Sequence, residues 1–319
     1  MATDKQDLPS RRQFQAALAG ALSAATFARL RADDASADEQ ESRYRLRYAL
    51  ASSLFGTLPL SEIFAEAKRL GIGAIDIWPR VHGSQREQID ATGEDTFHAL
   101  LAKHDAHLAV LTRYDLGPFG LAEELDFAKR FKCPVIVTGS RGPRDLAGDE
   151  LKSAIGEFVE EMRPHVAHAE KHGVTLAIEN HGGQLLAKPD GVRWFADALR
   201  SEPTGHLGLA LAPYHLPQDA KLLAELIEQL GSRLKLFYAW QYGKGCTGKL
   251  PKEEELLQMP GRGELDFRPL LAALAKIGFD GFTEPFMHPV PRGIPILETA
   301  REVGDEVRRA MRYLDERVA

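Results

Sequence analysis

Residues 261–285 read GRGELDFRPLLAALAKIGFDGFTEP. A helical pattern from Phe267 to Ile277 stops at Gly278, and a short apolar run from Gly281 to Pro285 follows with one carboxylate, Glu284, near its end. A helix feeding a short buried strand is the repeating unit of a parallel sheet with crossover helices. A carboxylate that follows apolar strand residues is costly to bury unless it has a partner cation or a proton to exchange. This stretch therefore suggests both an architecture and a place for chemistry.

The same unit recurs outward along the chain from Arg47. Strands are expected at Tyr48–Phe55, Ala74–Trp78, His107–Thr112, Pro134–Thr138, Val174–Asn180, His206–Ala212, Leu234–Trp240 and Gly281–Pro285. Between them lie helical patterns at Leu60–Leu70, Thr96–Asp105, Leu121–Phe131, Glu150–His172, Val192–Leu199, Asp219–Leu230 and Phe267–Ile277, and a last one runs from about Leu297 to Val318. Gly71, Gly173, Gly231 and Gly278 follow helices as C-caps. Eight units with no spare domain point to one (β/α)8 TIM barrel of the α/β class over residues 46–319, after a segment 1–45 of different character. Alternation also suits an open doubly wound sheet. What favours the barrel is that the polar residues gather where strands meet the following loops, which is where barrel active sites sit.

Composition narrows the function classes. The chain has 319 residues, 44% of them hydrophobic and 27% charged, and a formal net charge of −6. It can bury a sizeable core. It lacks the basic footprint that nucleic acid would require, so no nucleic-acid partner is expected. The two cysteines, Cys133 and Cys246, have neither metal-ligand spacing nor a disulfide framework.

Near the N-terminus, Ser10–Phe14 reads SRRQF, and the uncharged residues 16–28 that follow are mostly alanine and leucine. A basic region before a short apolar run is an export signal rather than a stable membrane span. The paired arginines resemble a twin-arginine signal, which implies export as a folded protein, a route suited to cofactors inserted beforehand. Ala35–Ala37 is a small-residue stretch where cleavage would fit, with an acidic linker after it. The expected location is periplasmic or otherwise extracytoplasmic, with the twin-arginine export machinery as a partner. The sequence leaves a homo-oligomer open.

Glu179 ends the fifth strand in AIENHGG as Glu284 ends the eighth, so a metal site or an acid/base pair is expected at the mouth. A salt bridge is the plainer alternative for either one alone. His181, His215 and His288 fall in the loops after strands five, six and eight, and Gln241, just past strand seven, is a candidate neutral oxygen ligand. Trp240, Tyr238 and Tyr214 could present faces for the C–H surface of a sugar ring, and Arg292 in HPVPRG could reach an anion or a hydroxyl.

Residues 261–285 and VTLAIENHGG at 174–183 resemble the xylose isomerase-like TIM-barrel family, the sugar phosphate isomerases/epimerases, and the resemblance extends from Arg47 to the C-terminus. It implies a divalent ion (Mn, Mg, Zn or Co) held by Glu, Asp, His and Glu on strands five to eight. Glu179 and Glu284 match. Ala212 stands at the Asp position and Tyr238 at the His position, so His215 and Gln241 are the substitutes expected to complete a ligand set of Glu179, His215, Gln241 and Glu284. The expected activity is isomerisation or epimerisation of a sugar, keto-sugar or cyclitol through an enediolate. Glu179 and Glu284 would move the proton, and His181, Tyr214, Trp240, His288 and Arg292 would hold the substrate. The alternatives are a lyase or dehydratase acting on keto-sugars and a non-catalytic, exported carbohydrate-binding barrel.

Overall fold

Eight short runs rich in Val, Ile, Leu and Ala close into a ring of parallel strands in the computed structural model, which describes residues 44–318. The strands are β1 (Arg47–Ala51), β2 (Ala74–Ile77), β3 (His107–Thr112), β4 (Val135–Gly139), β5 (Thr175–Glu179), β6 (Leu207–Leu211), β7 (Leu234–Ala239) and β8 (Phe282–Pro285). Each pairs with the next, and β8 pairs back onto β1 through Arg47–Phe282 and Tyr48–Thr283. This closure decides between a barrel and an open sheet. The expected export segment lies outside the described residues apart from its last two positions.

Outside the ring run α1 (Leu60–Leu70), α2 (Gln85–Thr92), α3 (Glu94–His104), α4 (Ala122–Arg130), α5 (Gly148–His172), α6 (Pro189–Arg200), α7 (Ala220–Leu230), α8 (Lys252–Glu255), α9 (Arg268–Lys276) and α10 (Ala300–Asp315). Their ends follow local chemistry. Gly71 and Gly173 close α1 and α5 in the left-handed region, at φ 75° and 70°. The Asp219 side chain accepts from the backbone N–H groups of Lys221 and Leu222 at the start of α7. Thr299 and Glu302 form a reciprocal capping box on α10, which is why that helix starts at Ala300 rather than at Leu297. No helix among the described residues is long and apolar enough to cross a membrane.

The first strand is shorter than the sequence suggests. After Ala51 the chain turns through a 3-10 segment, Ser52–Leu54; the Ser52 hydroxyl accepts from the backbone N–H of Trp78, and Phe55 bridges to Pro295. The helices α2 and α8 were not expected, since both lie inside what reads as polar loop. Covering helices on the outside and close packing within leave the strands buried on both faces. Polar side chains cluster instead at the C-terminal ends: Asp76 on β2, Glu179 on β5, Tyr238 on β7 and Glu284 on β8 are 0–3% exposed.

Candidate active site

Three carboxyl groups meet at the mouth of the barrel. Asp76 is the best satisfied, since the Thr112 hydroxyl donates to it at 2.9 Å and the Trp78 indole N–H also donates. Burial still pushes Asp76 up to about 8, against those two donors. Glu179 accepts from the Tyr114 hydroxyl through Oε2, and its Oε1 lies 3.5 Å from His215 Nε2. Burial raises it to about 8 as well. Neither buried Glu284 oxygen meets an N–H or hydroxyl donor among the described residues, and the Asp76 carboxyl is its hydrogen-bonding neighbour. Burial, followed by the charges of Asp76 and Glu179, holds Glu284 neutral well above the ordinary carboxylate range. Tyr238, whose backbone is in register with Glu284, completes the floor. Burial and the same three carboxyls keep its phenol protonated.

Above this floor stands a rim of histidines. The His181 and His215 rings are 4.2 Å apart, and His82 stacks on His288 at 4.4 Å. Burial lowers His215 to about 4, and burial with the nearby Arg292 charge lowers His82 to about 4. His181 and His288 are lowered too, chiefly by burial. The rim is thus a set of neutral imidazoles, each with one donor and one acceptor nitrogen; His181 Nδ1 is already engaged by the Gly182 carbonyl at 2.8 Å. Arg292 joins it, with guanidinium N–H groups donating to the Pro289 and Cys246 carbonyls and to Cys246 Sγ.

The sequence-derived residues divide here. Glu179, His181, His215, Glu284, His288 and Arg292 come together. Gln241 is a correction: its Nε2 donates to the Met259 carbonyl at 2.6 Å and its Oε1 accepts from the Leu265 N–H at 2.9 Å. Both ends of the amide are engaged in fixing the loop between β7 and α9, so Gln241 is no ligand. Tyr214 and Trp240 do not offer the expected open aromatic wall. They stack on each other at 4.0 Å, the Trp240 indole N–H donates to Gln258, and the Tyr214 hydroxyl meets Cys246 at 3.0 Å.

This donor set does not fit the divalent ion that the resemblance implies. Ala212 supplies only a methyl group, Tyr238 supplies a phenol held protonated, and Gln241 is engaged elsewhere. Glu179 is already hydrogen-bonded to Tyr114. Among the described residues no group of three His, Cys, Asp or Glu side chains is arranged to hold a metal. The expectation of Glu179, His215, Gln241 and Glu284 as a ligand set is replaced by a site of three carboxyls, a phenol and neutral imidazoles.

Sequence reading passed over Asp76, Thr112, Trp78, His82 and Tyr114. Asp76 carried the signal that identified Glu179 and Glu284, a lone carboxylate in an apolar strand, AIDIW. His82 and Tyr114 lie in loops, where neither periodicity nor spacing tells which way a side chain points.

The sequence profile described as "Xylose isomerase-like TIM barrel" matches residues 64–316. No functionally curated protein matches the chain in sequence. Solved structures similar to it include an IolI protein with a bound zinc atom, at 16% identity and TM-score 0.65, covering 86% of this chain and 99% of that one. A D-psicose 3-epimerase with D-tagatose from Clostridium cellulolyticum H10 aligns at 14% identity and TM-score 0.62, covering 86% of this chain and 99% of that one. A probable 3-DHS dehydratase, AsbF, from Bacillus anthracis aligns at 14% identity and TM-score 0.60, over 84% of this chain and 98% of that one. At such identities these likenesses concern the fold alone. With the closed eight-stranded ring and the profile match over most of its length, the chain belongs to the xylose isomerase-like TIM-barrel family.

Proposed function

We propose that the protein is an isomerase or epimerase of a small carbohydrate, a keto-sugar or cyclitol, that moves a proton at the carbon beside a carbonyl. The observation that carries this reading is the pairing of a poised base with a buried acid that no cation compensates: Glu179 between Tyr114 and His215, and Glu284 with no N–H or hydroxyl donor among the described residues and only the Asp76 carboxyl beside it. A structural carboxylate would be matched by a cation. One that is buried, neutral and unmatched has a proton to give.

Ionised Glu179 takes the proton from the carbon, and the electrons move onto the carbonyl oxygen. The Tyr238 hydroxyl and the neutral Glu284 carboxyl supply hydrogen bonds to that developing negative charge, the task of an oxyanion hole. Return of a proton from Glu284 to the opposite face inverts the carbon; transfer between the two oxygens with return at the neighbouring carbon gives aldose–ketose isomerisation. Glu179 ends protonated and Glu284 ionised, and exchange with water resets both. No step passes through a divalent ion, because the donor set does not fit one.

Incubation with a panel of keto-sugars and cyclitols in deuterated water tests the reading. Deuterium should enter at the carbon beside the carbonyl and should cease to enter with Glu179→Gln. Loss of water from the substrate instead of exchange would make the protein a lyase. Substrate binding without exchange by any member would leave the carbohydrate-binding barrel as the function.

We also propose export by the twin-arginine route, supported by SRRQF ahead of the apolar residues 16–28. Replacing Arg11 and Arg12 with lysine should retain the full chain in the cytoplasm; unchanged export would end that proposal.

A further inference from the structure

Among the described residues four large apolar side chains are exposed, and all four stand in loops at the C-terminal ends of the strands: Val81 after β2, Leu116 after β3, Tyr242 after β7 and Ile294 after β8. In the closed ring these strands follow one another as β7, β8, β1, β2 and β3, so the four side chains occupy one continuous half of the barrel mouth. The other half is polar, with Arg141, Arg144 and Asp145 exposed after β4 and Gln218 and Asp219 exposed after β6. The apolar half is fixed by its backbone. The Thr57 N–H donates to the Gly293 carbonyl at 3.1 Å, and Gly293, at φ 80°, comes so near Val81 that a methyl group on it would lie 3.0 Å from the Val81 carbonyl oxygen. Val81 and Ile294 therefore rise from adjoining backbones. The Tyr242 N–H donates to Gln218 Oε1 at 2.8 Å, and its ring lies 5.3 Å from that of Tyr214. Tyr214 meets His215 edge-on at 4.8 Å, and His215 is 3.5 Å from Glu179. On the far side His82, the neighbour of Val81, stacks on His288 at 4.4 Å.

We infer that the substrate carries an apolar substituent, an aryl or alkyl group, that lies on Val81, Tyr242 and Ile294 while its sugar ring sits over the carboxyl floor. The inference rests on the proposed function and narrows its substrate class from free sugars to sugar conjugates such as glycosides. A free sugar is covered with hydroxyls and gains little from aliphatic side chains outside the mouth. An apolar group leaves water on reaching them, and so do they. A second copy of the chain fits this surface less well. A stable interface takes about 800 Å² from each partner, whereas four separate, part-exposed side chains offer only a few hundred Å² of apolar surface. A copy seated there would also cover the opening through which substrate reaches Glu179 and Glu284. The division of the mouth then gives the conjugate one orientation, with its apolar group toward the β7–β3 half and its hydroxyls toward the loops after β4 and β6.

The test is calorimetric titration of the full-length chain with glucose, galactose and fructose and with the phenyl and butyl glycosides of each, with phenol as the control for an apolar group alone. At least one glycoside should bind about ten- to hundredfold more tightly than its free sugar, the range for burying one apolar group of that size. Tyr242→Ala, and Val81→Ser combined with Ile294→Ser, should each lower that preference about fivefold, with free-sugar binding and melting temperature retained. A preference that survives both changes overturns the inference, as does phenol binding as tightly as the phenyl glycosides. Equal binding of free sugars and glycosides overturns it and leaves the proton-transfer reading standing. Sedimentation of the same samples reads the alternative occupant: a dimer that Tyr242→Ala dissociates, with no preference for glycosides, assigns the apolar half to a second copy and overturns the inference. Binding of no member overturns it too, and deuterium exchange then judges the proton-transfer reading separately.

Discussion

Two buried carboxylates of the same residue type, Glu124 and Glu284, sit in opposite surroundings. Glu124 on α4 is 5% exposed and is gripped by Arg86 through Nε and Nη2 at 3.1 Å each, with Arg113 also paired to its Oε1. Arg113 in turn binds Asp115 through two N–H groups at 3.0 and 2.8 Å, and Arg86 lies over the Phe127 ring. Glu284 on β8 is 0% exposed, and among the described residues neither of its oxygens meets an N–H or hydroxyl donor; its polar neighbour is the Asp76 carboxyl. Burial alone therefore does not reveal what a carboxylate is for. Where cations surround it, it ties helix and loop together; where other carboxyls and a phenol surround it, it is held protonated.

Neutralising each carboxylate in turn should separate the two roles. The largest effect is expected from Glu284→Gln on turnover. Deuterium incorporation should fall by about a hundred- to ten-thousandfold, the usual range for a general acid, with the fold retained. The stability of this variant should also diverge from that of the parent with pH. Because the folded-state pKa of Glu284 is raised, its contribution to stability is fully present below about pH 4.5 and falls as pH rises above that value. Denaturation across this range should show the parent losing stability relative to Glu284→Gln; a parent that gains instead would place a cation beside Glu284.

Glu124→Gln should behave in the opposite way. It leaves Arg86 and Arg113 short of a counter-charge, and chemical denaturation should show a loss of about 3–5 kcal/mol, the cost of breaking a buried pair from one side. The fraction that stays folded should turn over normally. A stability change under about 1 kcal/mol would mean that Asp90 and Asp115 compensate both arginines without Glu124.

The smallest effect is expected from Tyr114→Phe, which removes the hydroxyl that donates to Glu179. The parent rate should climb as pH rises through about 8, because Glu179 acts only when ionised. Loss of one donor to the ionised form should move that rise to higher pH and slow the reaction about tenfold at neutral pH. An unshifted profile would detach Tyr114 from the base.

Glu179 and Glu284 were legible in the sequence because a carboxylate in an apolar strand has only a few physical resolutions. The barrel was legible because eight helix–strand units leave nothing over. Gln241 was misread, since its partners Met259 and Leu265 lie 18 and 24 residues further along the chain, in a loop whose path no periodicity describes. Tyr214 and Trp240 were placed at the right end of the barrel, but their mutual stacking depends on rotamers that residue type does not dictate. Asp76 has the same signature in the sequence, a lone carboxylate in the apolar run AIDIW, and differs from Glu284 in being satisfied by the Trp78 indole and the Thr112 hydroxyl.

Proton transfer by carboxyls without a bound divalent ion can be checked by measuring deuterium incorporation into the active carbohydrate after exhaustive dialysis against a chelator, with elemental analysis of the same sample. Metal content well below one ion per chain with exchange undiminished, and exchange lost in Glu284→Gln, is the expected result. Exchange that vanishes on chelation and returns with manganese, zinc, cobalt or magnesium would contradict it.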